Sequence, residues 1–380
     1  MNKMQNVYIN KISSFLPNAP VSNDEMEAVL GMVGDVPSRV RKMILRSNAI
    51  EQRYYAIDPA TRQPTHTSTE LAVQAVKNLG ISANEFTSLA VGTSYPDQIL
   101  PGQGVMVHGL LDNAPPMEVM SMSGVCVAGM AAMKHAFNAV RTGEHQSAVA
   151  VSSECASAIM RAENFKSEIA QKNLDNAKPD IGFEKDFLRW MLSDGAGAVQ
   201  LSSQPNENGL SFRIHWIDLV SYANEMPVCM YAGGDVQDGK FVSWKSVSQE
   251  ERDAKSFMAI KQDVKLLNDN IVKYTVEKAL ARSIEKHGLK ANDIDYLLPH
   301  YSSGFFRDKL LEGLRNINFE IPQEKWFTNL TQCGNTGSAS IYIILDEFSH
   351  TVDLKSGQKV LCYVPESGRF SSCFMLLEVV

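Results

Sequence analysis

Cys126, His300 and Asn335 are the residues of this 380-residue chain whose types and settings suit nucleophilic chemistry. Cys126 lies in "VMSMSGVCVAGMAAM", between a segment that alternates like a strand and one with helical periodicity, and Gly124 permits the tight turn between them. A cysteine at or next to a helix N-terminus gains from unpaired N–H groups and the helix dipole, which favour a thiolate and lower the thiol pKa below its free value of about 8.5. The same N–H groups could hold a developing oxyanion. A single cysteine in apolar surroundings also reads as a buried filler, so partners decide the matter. His300 follows the apolar strand "IDYLLP", and the C-terminal end of a strand is where α/β sheets present catalytic groups. Asn335 lies in "QCGNTGSAS", ahead of the apolar helix "IYIILDEF". An Asn there caps a helix, and it can also turn its amide into a pocket. Together the three suggest acyl transfer through a thioester on sulfur, with the imidazole and the amide stabilising oxyanions or moving protons. Papain-like proteases use the same residue types, but their local cysteine signature is absent.

The elements that must position these residues come from an internal repeat. "NLGISANEFTSLAVGTSY" (78–95) matches "KHGLKANDIDYLLPHYSS" (286–303), with Gly80 and Gly288 ending helix-like segments at an offset of 288 − 80 = 208. Upstream, "STELAVQAVKNLG" and "IVKYTVEKALARSIEKHG" carry apolar residues at i, i+3, i+4 and i+7, as amphipathic helices do. Downstream, the Cys126 turn meets the Gly334–Asn335 turn, and "SAVAVSSE" (147–154) meets "KVLCYVPE" (359–366), each ending in Glu. Alternating helices and strands predict a mostly parallel sheet with helices on it. Two halves related by a pseudo-two-fold axis would bring the turns at 126, 300 and 335 to one pocket. The first half is expected over 1–205, with insertions at 21–65 and 155–192, and the second over 206–380. Insertions of this kind serve as lids, dimer contacts or pocket walls.

Composition is that of an ordinary globular protein, 44% hydrophobic and 21% charged. The net charge of −7, with no long single-sign run, argues against a nucleic-acid binder. The six cysteines show no CxxC or CxxH spacing, so no metal site is expected, and free thiols in a reducing cytoplasm are. The N-terminus has no signal-like apolar stretch, and no uncharged apolar run reaches the roughly 18 residues needed to span a bilayer.

On these residues the chain resembles the ketosynthase III branch of the thiolase superfamily, the β-ketoacyl-ACP synthase III-like enzymes. "ILRSNAIEQRYYAID" resembles the family's early arginine-containing segment, and "SYPDQILPGQGVMVHGLL" its Pro-Asp stretch before the nucleophile. "LSDGAGAVQLS" is similar to its Gly-Asp-Gly-Ala-Gly-Ala strand, and "CGNTGSASIYIILDE" to its Asn-Thr-Ser-Ala-Ala-Ser stretch. The resemblance covers nearly the whole chain and implies a five-layered αβαβα thiolase fold, usually dimeric. It also implies acyl-CoA or acyl carrier protein as thioester substrates and partners, with no further cofactor. It makes Cys126 the acylated nucleophile and His300 and Asn335 the pair that supports condensation. The N–H groups of Cys126 and Gly368 become the oxyanion hole, and Arg46 a basic residue near the pantetheine entrance.

The chain departs from the family pattern in places. His-Tyr-Ser-Ser stands where the family often has His-Gln-Ala-Asn. Phe305 occupies the site of a basic residue, with Arg307 two positions on, and the C-terminal glycine-rich segment is reduced to "SGRFSS". These changes suggest an altered acceptor or second step. "YINKISSFLPNAPVSNDEMEAVLG", "RYYAID" and "PHYSSGFF" resemble the branch making dialkylresorcinol or cyclohexanedione precursors. For that branch the implied reaction is acylation of Cys126, Claisen-type attack by a β-ketoacyl thioester, and ring closure. Glu154 is then a candidate base, with a structural carboxylate as its plainer reading, and Arg369 a candidate thioester contact. Decarboxylative condensation with malonyl-ACP, transfer to an ester or amide, and a non-catalytic subunit are the alternatives.

Overall fold

The structure, a computed structural model, describes residues 4–175, 177, 178 and 180–380; Asn176 and Pro179 of the second insertion lie outside the described residues. Nine strands carry the fold: β1 (Tyr8–Phe15), β2 (Ser88–Thr93), β3 (Glu118–Ser123), β4 (Ser147–Glu154), β5 (Gly195–Ser202), β6 (Phe212–Ser221), β7 (Tyr296–Pro299), β8 (Lys359–Glu366) and β9 (Ser371–Val379). The main helices are α1 (Ser68–Asn78), α2 (Gln103–Leu110), α3 (Ala128–Arg141), α4 (Val264–Val272), α5 (Ala279–His287), α6 (Arg307–Asn316) and α7 (Ser340–Thr351). All of β2 and seven of eight residues of β4 are buried. Their runs of small and β-branched residues lack polar alternation because both faces are covered.

The strands form one hydrogen-bonded sheet in the order β7-β8-β9-β6-β1-β5-β4-β2-β3. The sequence led us to expect a mostly parallel sheet, and the register corrects this. Only β2–β3, β2–β4 and β7–β8 are parallel, whereas β1–β5, β1–β6, β4–β5, β8–β9 and β6–β9 are antiparallel. Crossover helices tie only the outer strands of each group; β5 and β9 run back against them. The two groups meet at β1–β6, through just Tyr8↔Arg213 and Ile9↔Phe212.

Around that narrow junction the sheet folds over α3 and α7. Their apolar faces, including Met130, Met133, Phe137, Ile341, Leu345 and Phe348, form a central core with both strand groups. A second core lies between α4–α6 and the far side of β8–β9, and a third between α1–α2 and β2, β4 and β5. The result is a five-layered αβαβα arrangement. Matched elements keep close offsets: 296 − 88 = 208 for β2 and β7, 359 − 147 = 212 for β4 and β8, and 340 − 128 = 212 for α3 and α7. Gly80 (φ 68°) and Gly288 (φ 63°) take the left-handed conformation that ends each repeat helix.

The central helices approach closely because small residues open their first turns. A Cβ on Gly129 would lie 2.2 Å from the Ser338 carbonyl oxygen, and one on Gly92 2.4 Å from that of Ala128. Tyr342 of α7 donates its hydroxyl to the Gly129 carbonyl at 2.7 Å. No helix among the described residues is long and apolar enough to cross a membrane.

Candidate active site

Strand β3 ends at Ser123, Gly124 and Val125 turn the chain, and α3 begins at Ala128, so Cys126 sits two residues before the helix. The residue is buried, 8% exposed. It nevertheless forms a shared wall of two cavities. One cavity, with about 480 Å³ of empty volume, is lined by Cys126, His300, Leu267, Ile271, Phe306 and Tyr363 among others. The other, about 560 Å³, is lined by Cys126, Asn335, Glu154, Phe187, Met191 and Met230 among others. Ser302 and Ser367 also border both. Of the three residues singled out in the sequence, Cys126 lines both cavities, His300 the first and Asn335 the second.

His300 is the first residue after β7, held by its N–H to the Tyr363 carbonyl of β8 at 2.8 Å. Burial pushes its imidazole pKa down to about 4, so it is neutral near pH 7 and able to accept or donate at either nitrogen. Asn335 accepts the Gly337 N–H on Oδ1 at 3.0 Å, a turn that opens the approach to α7. Asn335 is not the helix cap, a position held by Thr336; it lines the second cavity, and its Nδ2 donates no hydrogen bond among the described residues.

The thiol itself departs from expectation. We anticipated a lowered pKa, but burial pushes the Cys126 thiol well up, and the carboxylates of Glu154 and Glu366 push it further. The helix N-terminus does not win because the sulfur has left water and sits near two acidic groups. Attack therefore requires a proton acceptor, and neutral His300 borders the same cavity.

Those two glutamates are counterparts at the ends of β4 and β8 (366 − 154 = 212). Each grips a turn of the other half. Glu154 Oε1 accepts the Ser338 N–H at 3.1 Å and its hydroxyl, together with the Ser94 N–H at 2.9 Å and Oγ at 2.6 Å. Glu366 Oε1 accepts the Val125 N–H at 3.2 Å, next to the cysteine. Burial raises the pKa of both carboxyls, and the hydrogen bonds offset part of that. Glu154 thus has a structural role on Oε1, while Oε2 has no hydrogen-bond partner among the described residues.

Gly368 lies in the turn between β8 and β9. A Cβ there would meet Glu366 Oε1 at 2.7 Å and Val125 Cγ2 at 2.8 Å, so a larger residue would displace one of these side chains beside the cysteine turn. Among the described residues, neither its N–H nor that of Cys126 donates to a backbone carbonyl.

The three arginines do not border the cavities. Arg46 is exposed on the helix Arg41–Asn48, whose end abuts the loop after His300 through Ala49 and Gly304. Arg307 opens α6 and donates to Tyr301 Oη (3.0 Å) and Gln323 Oε1 (3.0 Å), over the Trp326 ring. Arg369 donates to the Met226 carbonyl at 2.7 Å. The insertion at 155–192 does wall a cavity, through Ala156, Phe187, Leu188, Met191 and Leu192. Sequence reasoning missed Glu366 as a site residue, although the paired strand-end glutamates of the repeat were a signal for it.

With this geometry in place, comparison with known proteins shows what the chain is similar to. Residues 284–374 match the family model "3-Oxoacyl-[acyl-carrier-protein (ACP)] synthase III C terminal". Over 362 residues the chain is 24% identical to the β-ketoacyl-[acyl-carrier-protein] synthase III of Clostridium perfringens strain SM101, covering 94% of this chain and 95% of that one. Among solved structures, AbyA1, a tetronic acid condensing enzyme, superposes with a TM-score of 0.75 at 17% identity, covering 98% of this chain and 99% of that one. Xanthomonas campestris OleA with bound lauric acid and lauroyl-CoA gives 0.70 at 16% identity, covering 99% of both chains. The chain is thus similar to β-ketoacyl-[acyl-carrier-protein] synthase III over most of its length, and it has the thiolase fold.

Proposed function

We propose that this protein takes an acyl group from an acyl thioester onto Cys126 and condenses it, by Claisen-type carbon–carbon bond formation, with a β-ketoacyl thioester. A second bond then closes a ring, giving a cyclohexanedione or dialkylresorcinol precursor. The observation that carries this reading is the position of Cys126 between two cavities with largely apolar walls. An acyl chain on sulfur can occupy one while the second thioester approaches through the other.

In this scheme His300 takes the thiol proton as sulfur attacks the thioester carbonyl. The Cys126 and Gly368 N–H groups hold the oxyanion, and the leaving thiol departs. In the second half-reaction a carbanion attacks the acyl carbon, the C–S bond breaks, and sulfur regains its proton. His300 and the free Nδ2 of Asn335 donate to the enolate oxygen of the incoming thioester. Glu154 is the candidate base for the α-carbon, through the oxygen that Ser94 and Ser338 leave unused. Coenzyme A or an acyl carrier protein delivers each chain, and two copies of the protein act together as a homodimer.

The relatives' names favour a second reading, decarboxylative condensation with malonyl-ACP. No Lys or Arg lines either cavity, and Glu154 does. A malonyl carboxylate would enter a desolvated space with no cationic partner, which favours a nucleophile that brings no carboxylate of its own. Incubation with paired acyl and β-ketoacyl thioesters tests the proposal. We expect an acyl adduct on Cys126 by intact mass and a condensed product; a product that gains the mass of an ester or amide, or that forms only with malonyl thioester, refutes it.

A further inference from the structure

The cross-brace between the halves is not symmetrical in what it reaches. Glu154 grips the Ser338 turn, which leads into α7. Glu366 grips Val125, the residue directly before the nucleophile. Glu366 also lies beneath the other oxyanion donor: its Oε1 is 2.7 Å from where a Gly368 side chain would begin, and Val125 Cγ2 is 2.8 Å from the same point. The carboxylate therefore packs against both chain segments whose N–H groups would face a substrate oxygen. It is 8% exposed, so water does not compete strongly for the Val125 N–H. Neither residue lies within a helix or strand, although the Gly368 carbonyl accepts the Cys229 and Met230 N–H groups at 2.9 and 3.2 Å, so it is the cysteine turn that depends on the carboxylate. Cys126 precedes α3, and Gly368 lies in a turn.

We propose that Glu366 is a positioning residue that fixes the separation and direction of the Cys126 and Gly368 N–H groups, by clasping the Val125 N–H from the opposite half of the molecule. This rests on the acyl-transfer reading above. An oxyanion hole acts through donors already aimed at the developing charge, so small displacements are costly. A carboxylate this near the sulfur also disfavours the thiolate, and the chain keeps it there. A merely convenient acceptor for one N–H could be supplied without placing a charge beside the nucleophile.

Three variants of the full-length protein test this, with an acyl-CoA as the probe. Glu366→Leu removes the acceptor, Glu366→Asp withdraws it by one methylene, and Glu366→Gln keeps an oxygen in place without charge. We expect the maximal rate of Cys126 acylation, followed by intact mass, to fall about 10- to 100-fold in the Leu and Asp variants. The acyl-CoA concentration for half-maximal rate should stay within about twofold of wild type, as loss of an interaction made only in the transition state requires. The Gln variant should recover to within about threefold of wild type. Amide hydrogen exchange in the peptide 119–133 should quicken in the Leu and Asp variants and not in the Gln variant. Undiminished acylation in Leu or Asp, or a Gln variant as impaired as Leu, overturns the proposal. If wild-type protein takes no acyl group, the acyl-transfer reading falls. The clasp is then decided by exchange alone, and unchanged exchange in both Leu and Asp overturns it.

Discussion

At the scale of single residues, the thiol, the imidazole and the two carboxyls form one electrostatic group. Burial and like charge hold the Cys126 proton on sulfur. Removing a neighbouring negative charge lowers a thiol pKa. Glu154→Gln is therefore expected to shift the pH dependence of Cys126 alkylation by iodoacetamide to lower pH, measured as rate against pH with the adduct located by mass. Cys126→Ala should abolish the acyl adduct altogether. His300 should titrate near pH 4 in its ring-proton NMR signals, not near 6.5, because burial favours its neutral form. The identity of the three central residues was legible in the chain because each sits at a strand or helix boundary. The direction of the thiol shift was not, since it depends on how deeply the turn is buried and on Glu366, 240 positions away in the chain (366 − 126).

At the scale of elements, the helices α3 and α7 decide whether the site exists. Their first turns touch through backbone, so Gly129→Ala must push α3 away from Ser338. Overpacking of this kind costs about 1–3 kcal/mol, to be read as a lowered urea midpoint together with loss of acylation. Tyr342→Phe removes the hydroxyl's hydrogen bond to the Gly129 carbonyl, which still accepts within α3, at about 0.5–1.5 kcal/mol for one hydrogen bond. The repeat made these helices and the strands β2, β4, β7 and β8 readable, since periodicity and glycine stops recur at nearly one offset. The antiparallel members were harder. β5 is reached through the long insertion with its three short helices and β9 by a hairpin, and "SGRFSS" gives little hint that a strand turns back there. The insertion at 155–192 was visible as charged sequence. Its apolar residues, such as Phe187 and Met191, reach a cavity only because of tertiary packing.

At the scale of the whole molecule, buried titratable groups pull stability in opposite directions with pH. Burial raises Asp194 from 3.8 to about 6, so its contribution is full below about 3.8 and fades as pH rises through 6. His300 falls from 6.5 to about 4, so its contribution is present above 6.5 and is lost as pH drops through 4. The raised carboxyls of Glu154 and Glu366 act in the same sense as Asp194. Between pH 6.5 and 4.5 the urea midpoint of His300→Phe should rise relative to that of wild type as pH falls, because the loss contributed by His300 is gone. The two ends of the sheet differ as well. At one end β7 continues past its only full neighbour into the parallel bridge Leu297↔Trp326, with Phe327 donating to the Leu297 carbonyl at 2.9 Å. At the other end β3 is paired on one side alone, with Met120 38% exposed. A sheet with one sealed margin and one open margin can be extended only once, by a strand that uses up its own open margin. Such a molecule has a geometric stop against stacking into fibres, and pairing along β3 would end with both margins closed.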